Sequence, residues 1–157
     1  ENTIFVLVAD HTPSTTTARY NDRRMMYRIP IVFYHPKKLI PAEKKKVVFQ
    51  QMDIFPTLLD LLNIKTNYYA FGHSYYSNEK KDAINYLEGT YNYFINEHMI
   101  TFSNDRVRNL YNFAADTKIA KDSLSFYSKE KNEAEMKIKA IIQRYNRNLV
   151  HNKTVVE

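Results

Sequence analysis

Residues 3–11 read TIFVLVADH, and the fold that we predict for the chain rests mainly on this stretch. The residues before Asp10 are apolar or β-branched without a break, a pattern typical of a parallel-sheet strand that is buried on both faces. Asp10 and His11 follow at the point where this strand ends. In open α/β sheets, ligands bind at the carboxyl ends of the strands. The pair is therefore the first candidate site.

An adjacent carboxylate and imidazole offer one hard oxygen and one borderline nitrogen. These donors suit a divalent cation such as zinc or manganese. The same dipeptide is also compatible with a polar turn after a strand, in which Asp10 caps the backbone and His11 is exposed. Because two residues are too short a motif to separate these interpretations, the neighbouring sequence has to be considered.

Three further motifs follow the pair. They are an Arg-x-Pro strand over residues 28–36, the segment QMDIFPTLLDLL over residues 51–62, and the turn FGHS over residues 71–74. In this order and spacing the chain resembles the sulfatase-like branch of the alkaline phosphatase superfamily, and within it the lipoteichoic acid synthase (phosphoglycerol transferase) type. The resemblance covers residues 2–74 with specific motifs and extends more loosely through Tyr145.

The resemblance implies metal-dependent transfer or hydrolysis at a phosphate or sulfate ester. It makes Asp10 and His11 two ligands of a divalent metal, with manganese, zinc, magnesium and calcium all open. The family's other ligands, an acidic residue and the Thr or Ser nucleophile, lie N-terminal to these motifs. We therefore expect a C-terminal portion of a sulfatase-like catalytic domain, inactive alone and completed by the missing N-terminal part of the same protein. Thr12 departs from the family pattern, since many relatives carry Gly there.

The same resemblance indicates the kind of parent protein. Phosphoglycerol transferases act on a lipid head group, so we expect a membrane-anchored bacterial parent whose catalytic domain lies outside the cytoplasm. Phosphoethanolamine transferases and true sulfatases share the framework. The substrate therefore stays open among phosphate and sulfate esters.

The polar loop after Thr12 is the predicted substrate-facing segment. It carries Arg19, Arg23 and Arg24, and guanidinium groups match phosphate oxygens in a bidentate fashion. A solvated loop cation is the alternative for each of them. His35 also follows a strand, but the resemblance places no ligand there, so we assign it a structural hydrogen bond.

The segment after Gln51 is predicted to be a packing helix. Asp53 can cap backbone amides and Pro56 falls in the first turn, where its missing N–H is harmless. An apolar stripe follows at helical spacing, formed by Phe55, Leu58, Leu59 and Leu62. We therefore leave Asp53 out of the site, and we do not assign His73 as a ligand.

Beyond residue 82 the hydrophobic period changes to two. Polar breaks at Asn96-Glu97 and Asn104-Asp105 predict a three-stranded antiparallel meander. A helix over 129–150 follows, with a core-facing stripe formed by Ala134, Ile138, Ile141, Ile142, Tyr145 and Leu149. The predicted fold class is α/β: the C-terminal part of an alkaline-phosphatase-like sheet with packed helices (1–76), followed by a small β meander and a closing helix (77–157).

Composition limits the remaining function classes. Two glycines and no cysteine exclude Gly-rich nucleotide-binding loops, disulfides and thiolate metal sites. Residues 118–153 hold nine of the 23 basic side chains and four of the 17 acidic ones. Such a basic helical end can attract nucleic acid or an anionic membrane, although most charge runs are simply solvated. A non-catalytic nucleic-acid-binding or interaction module is therefore the alternative function, and the ordered motifs favour the enzyme over it.

Overall fold

A computed structural model describes residues 2–12, 24–43 and 47–154. The chain divides into two compact units, residues 1–46 and 47–157, and each is described by itself. The predicted fold class is confirmed, because helices and strands are mixed and a meander is followed by a closing helix. The boundary at residue 76 stays a prediction.

The first unit contains a two-stranded sheet. β1 (Phe5–Val8) pairs with β2 (Ile31–Tyr34), and the register joins Val8 to Ile31 at one end of the ladder. A 3-10 turn, Met25–Tyr27, precedes β2 and buries Met25. Residues 9–12 therefore continue past the paired part of β1, which leaves Asp10 and His11 outside the ladder.

Two details predicted for this sheet are wrong. The strands are antiparallel rather than parallel. β1 is also not buried on both faces, because Phe5, Leu7 and Val8 are 49%, 59% and 43% exposed. An unbroken apolar run indicates a strand with two apolar faces, but the direction of pairing depends on a partner that is distant in sequence.

The first helix of the second unit is α1 (Ile54–Leu61), which follows a 3-10 turn, Gln51–Asp53, that ends in the buried residue Asp53. Its Oδ2 accepts the amide of Gln50 at 2.9 Å, and its Oδ1 accepts the amide of His73 at 2.7 Å. Pro56 lies in the first turn. The predicted cap on α1 is wrong, because the Asp53 side chain makes no capping hydrogen bond to this helix. It forms instead the capping box of the preceding 3-10 turn with Gln50, and it also binds the loop after the helix.

The apolar stripe of α1 is only partly buried. Leu59 is buried, whereas Phe55 and Leu62 are about half exposed. Phe55 makes an edge-to-face contact with Tyr68, with ring centroids 5.7 Å apart. Helical spacing identifies residues on one face, but the burial of each one depends on what packs against it.

A four-stranded antiparallel sheet forms the body of the second unit, instead of the three strands predicted. Its strands pair in chain order: β3 (Asp82–Leu87), β4 (Thr90–Ile95), β5 (His98–Ser103) and β6 (Arg106–Asn112). Two-residue turns connect them, with positive φ angles typical of such turns, at Glu88, Gly89, Asn96, Asn104 and Asp105. The alternation of apolar and polar residues does not identify β3 in the sequence. The Glu88-Gly89 turn between β3 and β4 is not one of the usual hairpin dipeptides.

The closing helix α2 (Ser128–Val150) packs on this sheet, as predicted. Ala134 and Ile138 are buried in the core with Tyr93, Ile100, Phe102, Val107 and Leu110. Ile141 and Ile142 pack against the same cluster, while Tyr145 and Leu149 remain exposed. The last two members of the predicted stripe therefore do not join the core. Within the described ranges, neither helix combines the length and the apolarity needed to span a membrane.

One tyrosine of the meander has a buried polar partner. The Tyr93 hydroxyl donates to Asp82 Oδ2 at 2.7 Å inside the core. Lys137 Nζ lies 3.9 Å from the same oxygen. Burial, reinforced by the contact with Asp82, raises the pKa of Tyr93. The carboxylate thus links β3, β4 and α2 through polar contacts.

Ile138→Ala tests how much the docking of α2 contributes to stability. Ile138 is fully buried against the sheet, so we expect a loss of about 2–5 kcal/mol in the free energy of unfolding, from lost burial and the cavity left behind. Met136→Ala on the exposed side of α2 should change it by less than about 0.5 kcal/mol. Denaturant unfolding of both variants measures the difference. Equal effects would contradict the docking of this face.

Gly72→Ala tests the contact between the loop and the start of α1. A Cβ atom at position 72 would lie 2.1 Å from the carbonyl oxygen of Met52, so the backbone must shift. We expect a loss of about 1–3 kcal/mol or more, together with faster hydrogen exchange of the His73 amide. Gly89→Ala is the control, because its Cβ meets no atom and the cost there comes from a positive φ alone. Unchanged exchange at His73 would contradict the contact.

Candidate functional site

Asp10 and His11 lie directly after β1, where the backbone leaves the ladder. Their side chains are 86% and 77% exposed. Arg24 is half-buried and precedes the 3-10 turn before β2. Arg19 and Arg23 lie outside the described residues. Of the predicted site, the structure therefore brings together the ligand pair.

The two predicted ligand atoms are close to each other. Asp10 Oδ1 accepts the backbone amide of His11 at 2.9 Å, and Asp10 Oδ2 lies 3.4 Å from His11 Nε2. Two atoms that bind one zinc ion at about 2.1 Å each must lie within about 4.2 Å of one another. The observed separation satisfies this distance condition.

The ring orientation of His11 is set by its neighbour. His11 Nδ1 lies 2.8 Å from the carbonyl oxygen of Thr12. Because a carbonyl only accepts hydrogen bonds, this contact places the proton of a neutral ring on Nδ1 and leaves the lone pair on Nε2. Nε2 is the atom beside Asp10 Oδ2. Metal-binding histidines commonly donate their second ring N–H to such a partner.

Thr12 is itself anchored to the rest of the first unit. Its hydroxyl donates to the carbonyl oxygen of Met26 at 2.5 Å, and Met26 belongs to the 3-10 turn that buries Met25. The sequence marks Thr12 only as a departure from the family's Gly. Nothing in the sequence pairs residue 12 with residue 26, so this link emerges from the tertiary structure alone.

The pair by itself is too small to be a complete metal site. Within residues 2–12, 24–43 and 47–154, no three His, Cys, Asp or Glu side chains cluster in a way that could hold a metal ion. A catalytic zinc site commonly has three protein ligands and an open position. Asp10 and His11 therefore need at least one more ligand to form a site of that type.

Two other histidines have structural partners. His35 is buried, and its Nδ1 accepts the amide of Lys37 at 3.1 Å, which confirms the predicted structural role. In the second unit, His73 Nδ1 lies 2.6 Å from Glu79 Oε2. Lys81 Nζ binds the carbonyl oxygens of Ser74 and Ser77 in the same turn. These contacts stabilise the chain between α1 and β3.

A comparison with protein families supports the interpretation of the motifs. The family model described as Sulfatase matches residues 1–64. This segment is sulfatase-like. It contains β1, the Asp10-His11 pair, β2 and α1. No curated protein and no solved structure matches the chain.

Thr12→Val tests the positioning of His11. The substitution removes the hydroxyl that binds Met26 but keeps the side-chain shape, so we expect the Thr12 carbonyl to lose its fixed place and the His11 ring to populate both neutral tautomers. Ring nitrogen chemical shifts of His11 report the tautomer directly. Thr12→Ser keeps the hydroxyl and should retain the Nδ1–H form. The same tautomer in Thr12→Val as in the wild type would show that the link to Met26 has no influence.

Proposed function

We propose that Asp10 and His11 are two ligands of a divalent metal in an enzyme that transfers or hydrolyses a phosphate or sulfate ester. The observation that carries the proposal is the 3.4 Å approach of Asp10 Oδ2 to His11 Nε2, within a segment that matches the Sulfatase model. A bound divalent cation would neutralise charge on the ester and activate a hydroxyl nucleophile.

The remaining ligands and the nucleophile come, on this proposal, from an N-terminal part of the same protein. The exposure of the first sheet supports such a partner. Large apolar side chains on both strands are accessible, namely Phe5, Leu7, Val8, Val32 and Tyr34. Strands buried on both faces read as continuous apolar runs, so the sequence of β1 suits a larger sheet. Residues 1–157 alone should then have no turnover.

The substrate in this proposal is an anionic ester, with a phosphoglycerol-type lipid head group as the specific case. Arg24 is the described residue that we assign to binding the anionic group, together with Arg19 and Arg23 outside the described ranges. Guanidinium groups bind phosphate and sulfate oxygens through paired N–H donors. A lipid head-group donor would place the domain of a membrane-anchored bacterial parent outside the cytoplasm.

An interaction module without catalysis is the second candidate. The basic residues of the C-terminal region support it, since phosphate contacts by Lys and Arg supply most non-specific nucleic-acid affinity. The affinity for nucleic acid falls steeply as the salt concentration rises. Metal ligation by Asp10 and His11 does not involve the basic residues of the C-terminal region. One form of this second candidate is a degenerate family member, whose full-length protein would keep the fold but lack the nucleophile. The identity of the residue at the nucleophile position of the full-length protein distinguishes a degenerate member from an active enzyme.

Asp10→Ala and His11→Ala test the metal assignment in the full-length protein. Both side chains are largely exposed, so we expect loss of activity and of bound metal with little change in the thermal midpoint. Excess manganese or zinc should restore part of the activity of His11→Ala, because low occupancy can be raised by mass action. Metal content, thermal unfolding and head-group or p-nitrophenyl ester turnover are measured on the same samples.

Leu59→Ala is the matched control for a loss of packing. Leu59 is buried in α1, so its truncation should lower the free energy of unfolding by about 2–5 kcal/mol. Metal content should remain normal in the folded fraction, and excess metal should not restore stability. Near-normal turnover and metal content in Asp10→Ala would overturn the proposed ligand role.

A further inference from the structure

The charges of α2 differ between its two parts. Along residues 128–142, Lys and Glu alternate and form ion pairs, such as Lys129–Glu133 at 3.9 Å and Lys139–Glu135 at 3.0 Å. Residues 143–153 contain Arg144, Arg147 and Lys153 but no acidic side chain. Within the described part of the chain, no carboxylate forms an ion pair with these three cations.

Apolar side chains are exposed at the same end of α2. Tyr145, Leu149 and Val150 are 52%, 59% and 79% exposed. Tyr145 and Leu149 are four residues apart and therefore neighbours on the helix surface. They continue the apolar stripe that Ala134 and Ile138 begin in the core. Exposed apolar residues thus occur here together with cations that no described carboxylate neutralises.

Arg144 is held in a defined position. Its guanidinium carbon lies 5.1 Å from the ring centroid of Tyr69 and 5.4 Å from that of Phe71. Asn148 Nδ2 donates to the Tyr69 hydroxyl at 2.8 Å, which fixes this ring against the helix. A guanidinium in cation–π contact with aromatic rings can still offer N–H donors to an anion. Arg147 follows one turn later, on the adjoining part of the helix surface.

We propose that this end of α2 binds peripherally to the surface of an anionic lipid bilayer. The α2 terminal surface consists of Arg144, Tyr145, Arg147, Leu149 and Val150. Helical segments that combine cations with exposed aromatic and aliphatic residues bind at the boundary between head groups and acyl chains, where the cations face lipid phosphates and the apolar side chains leave water. The proposal does not depend on the metal site of Asp10 and His11.

Neither an interaction with the helix dipole nor nucleic-acid binding explains both the cations and the exposed apolar side chains of the α2 terminal surface. Cations near the carboxyl end of a helix interact favourably with its dipole, but that interaction gives no role to exposed Leu149 and Val150. Nucleic acid would bind the same cations through its phosphates. Aliphatic side chains contribute little binding free energy at a phosphate backbone, whereas their burial in a bilayer interface is favourable. The combination of charge and apolar exposure therefore favours the lipid surface.

Vesicle co-sedimentation of the full chain tests the proposal. The probes are phosphatidylcholine vesicles with and without phosphatidylglycerol, and we expect binding only to the anionic mixture. Arg147→Gln should lower the partition coefficient about fivefold, which corresponds to about 1 kcal/mol per cation near an anionic surface. The double variant Leu149→Ser and Val150→Ser should lower it by roughly tenfold. Circular dichroism checks that these exposed substitutions leave the fold intact.

Matched controls remove the same chemistry from elsewhere on the surface. Lys129→Gln removes a cation whose side chain is 85% exposed at the other end of α2, and Phe126→Ser removes an apolar side chain that is 83% exposed. Both should bind anionic vesicles like the wild type. Absence of wild-type binding, equal losses in the controls, or binding to DNA but not to vesicles would each overturn the proposal. Loss confined to the α2 terminal surface would support it, whatever the outcome for Asp10→Ala.

Discussion

The buried carboxylate of Asp53 is the group around which the second unit is arranged. Its two oxygens accept the amides of Gln50 and His73, so the turn that precedes α1 and the loop that follows the helix are bound to one side chain. Burial raises the pKa of Asp53, although the two amides oppose this. A buried carboxylate is destabilising unless its oxygens are hydrogen-bonded. The arrangement around α1 is therefore specified by the need to satisfy this one group.

The connection extends from Asp53 to the sheet through neighbouring polar groups. Gln50 Oε1 accepts the amide of Ile84 in β3 at 3.2 Å, and the hydroxyl of Thr57 accepts the amide of Tyr75 at 2.9 Å. Gly72 leaves room for the Met52 carbonyl in the same region. The candidate ligand pair of the first unit is held by fewer contacts. Asp10 and His11 are adjacent in sequence, and the Thr12 carbonyl beside them is enough to orient the His11 ring.

Some elements follow from local pattern because few distant contacts are needed to form them. Turns at Asn96-Glu97 and Asn104-Asp105 were predictable, since polar dipeptides between alternating segments favour two-residue hairpins, and the structure has both. α2 was predictable from a stripe of 3.6-residue period over about four turns. β3 was not, because the Glu-Gly sequence of its turn carries little hairpin signal. The antiparallel pairing of β1 with β2 was not either, since no local feature encodes a partner's direction.

Residue types at short spacing were enough to predict the α/β class and the sulfatase-like character of the first 64 residues, and they suggested Asp10 and His11 as candidate ligands. These patterns of residue types are properties of the sequence and can be recognised without knowledge of the fold. Three features became evident only in the folded chain: the 3.4 Å separation of Asp10 Oδ2 and His11 Nε2, the link from Thr12 to Met26, and the position of Arg144 on Tyr69 and Phe71. These features join atoms that a sequence pattern cannot relate, because distances across a fold depend on how all the intervening elements pack.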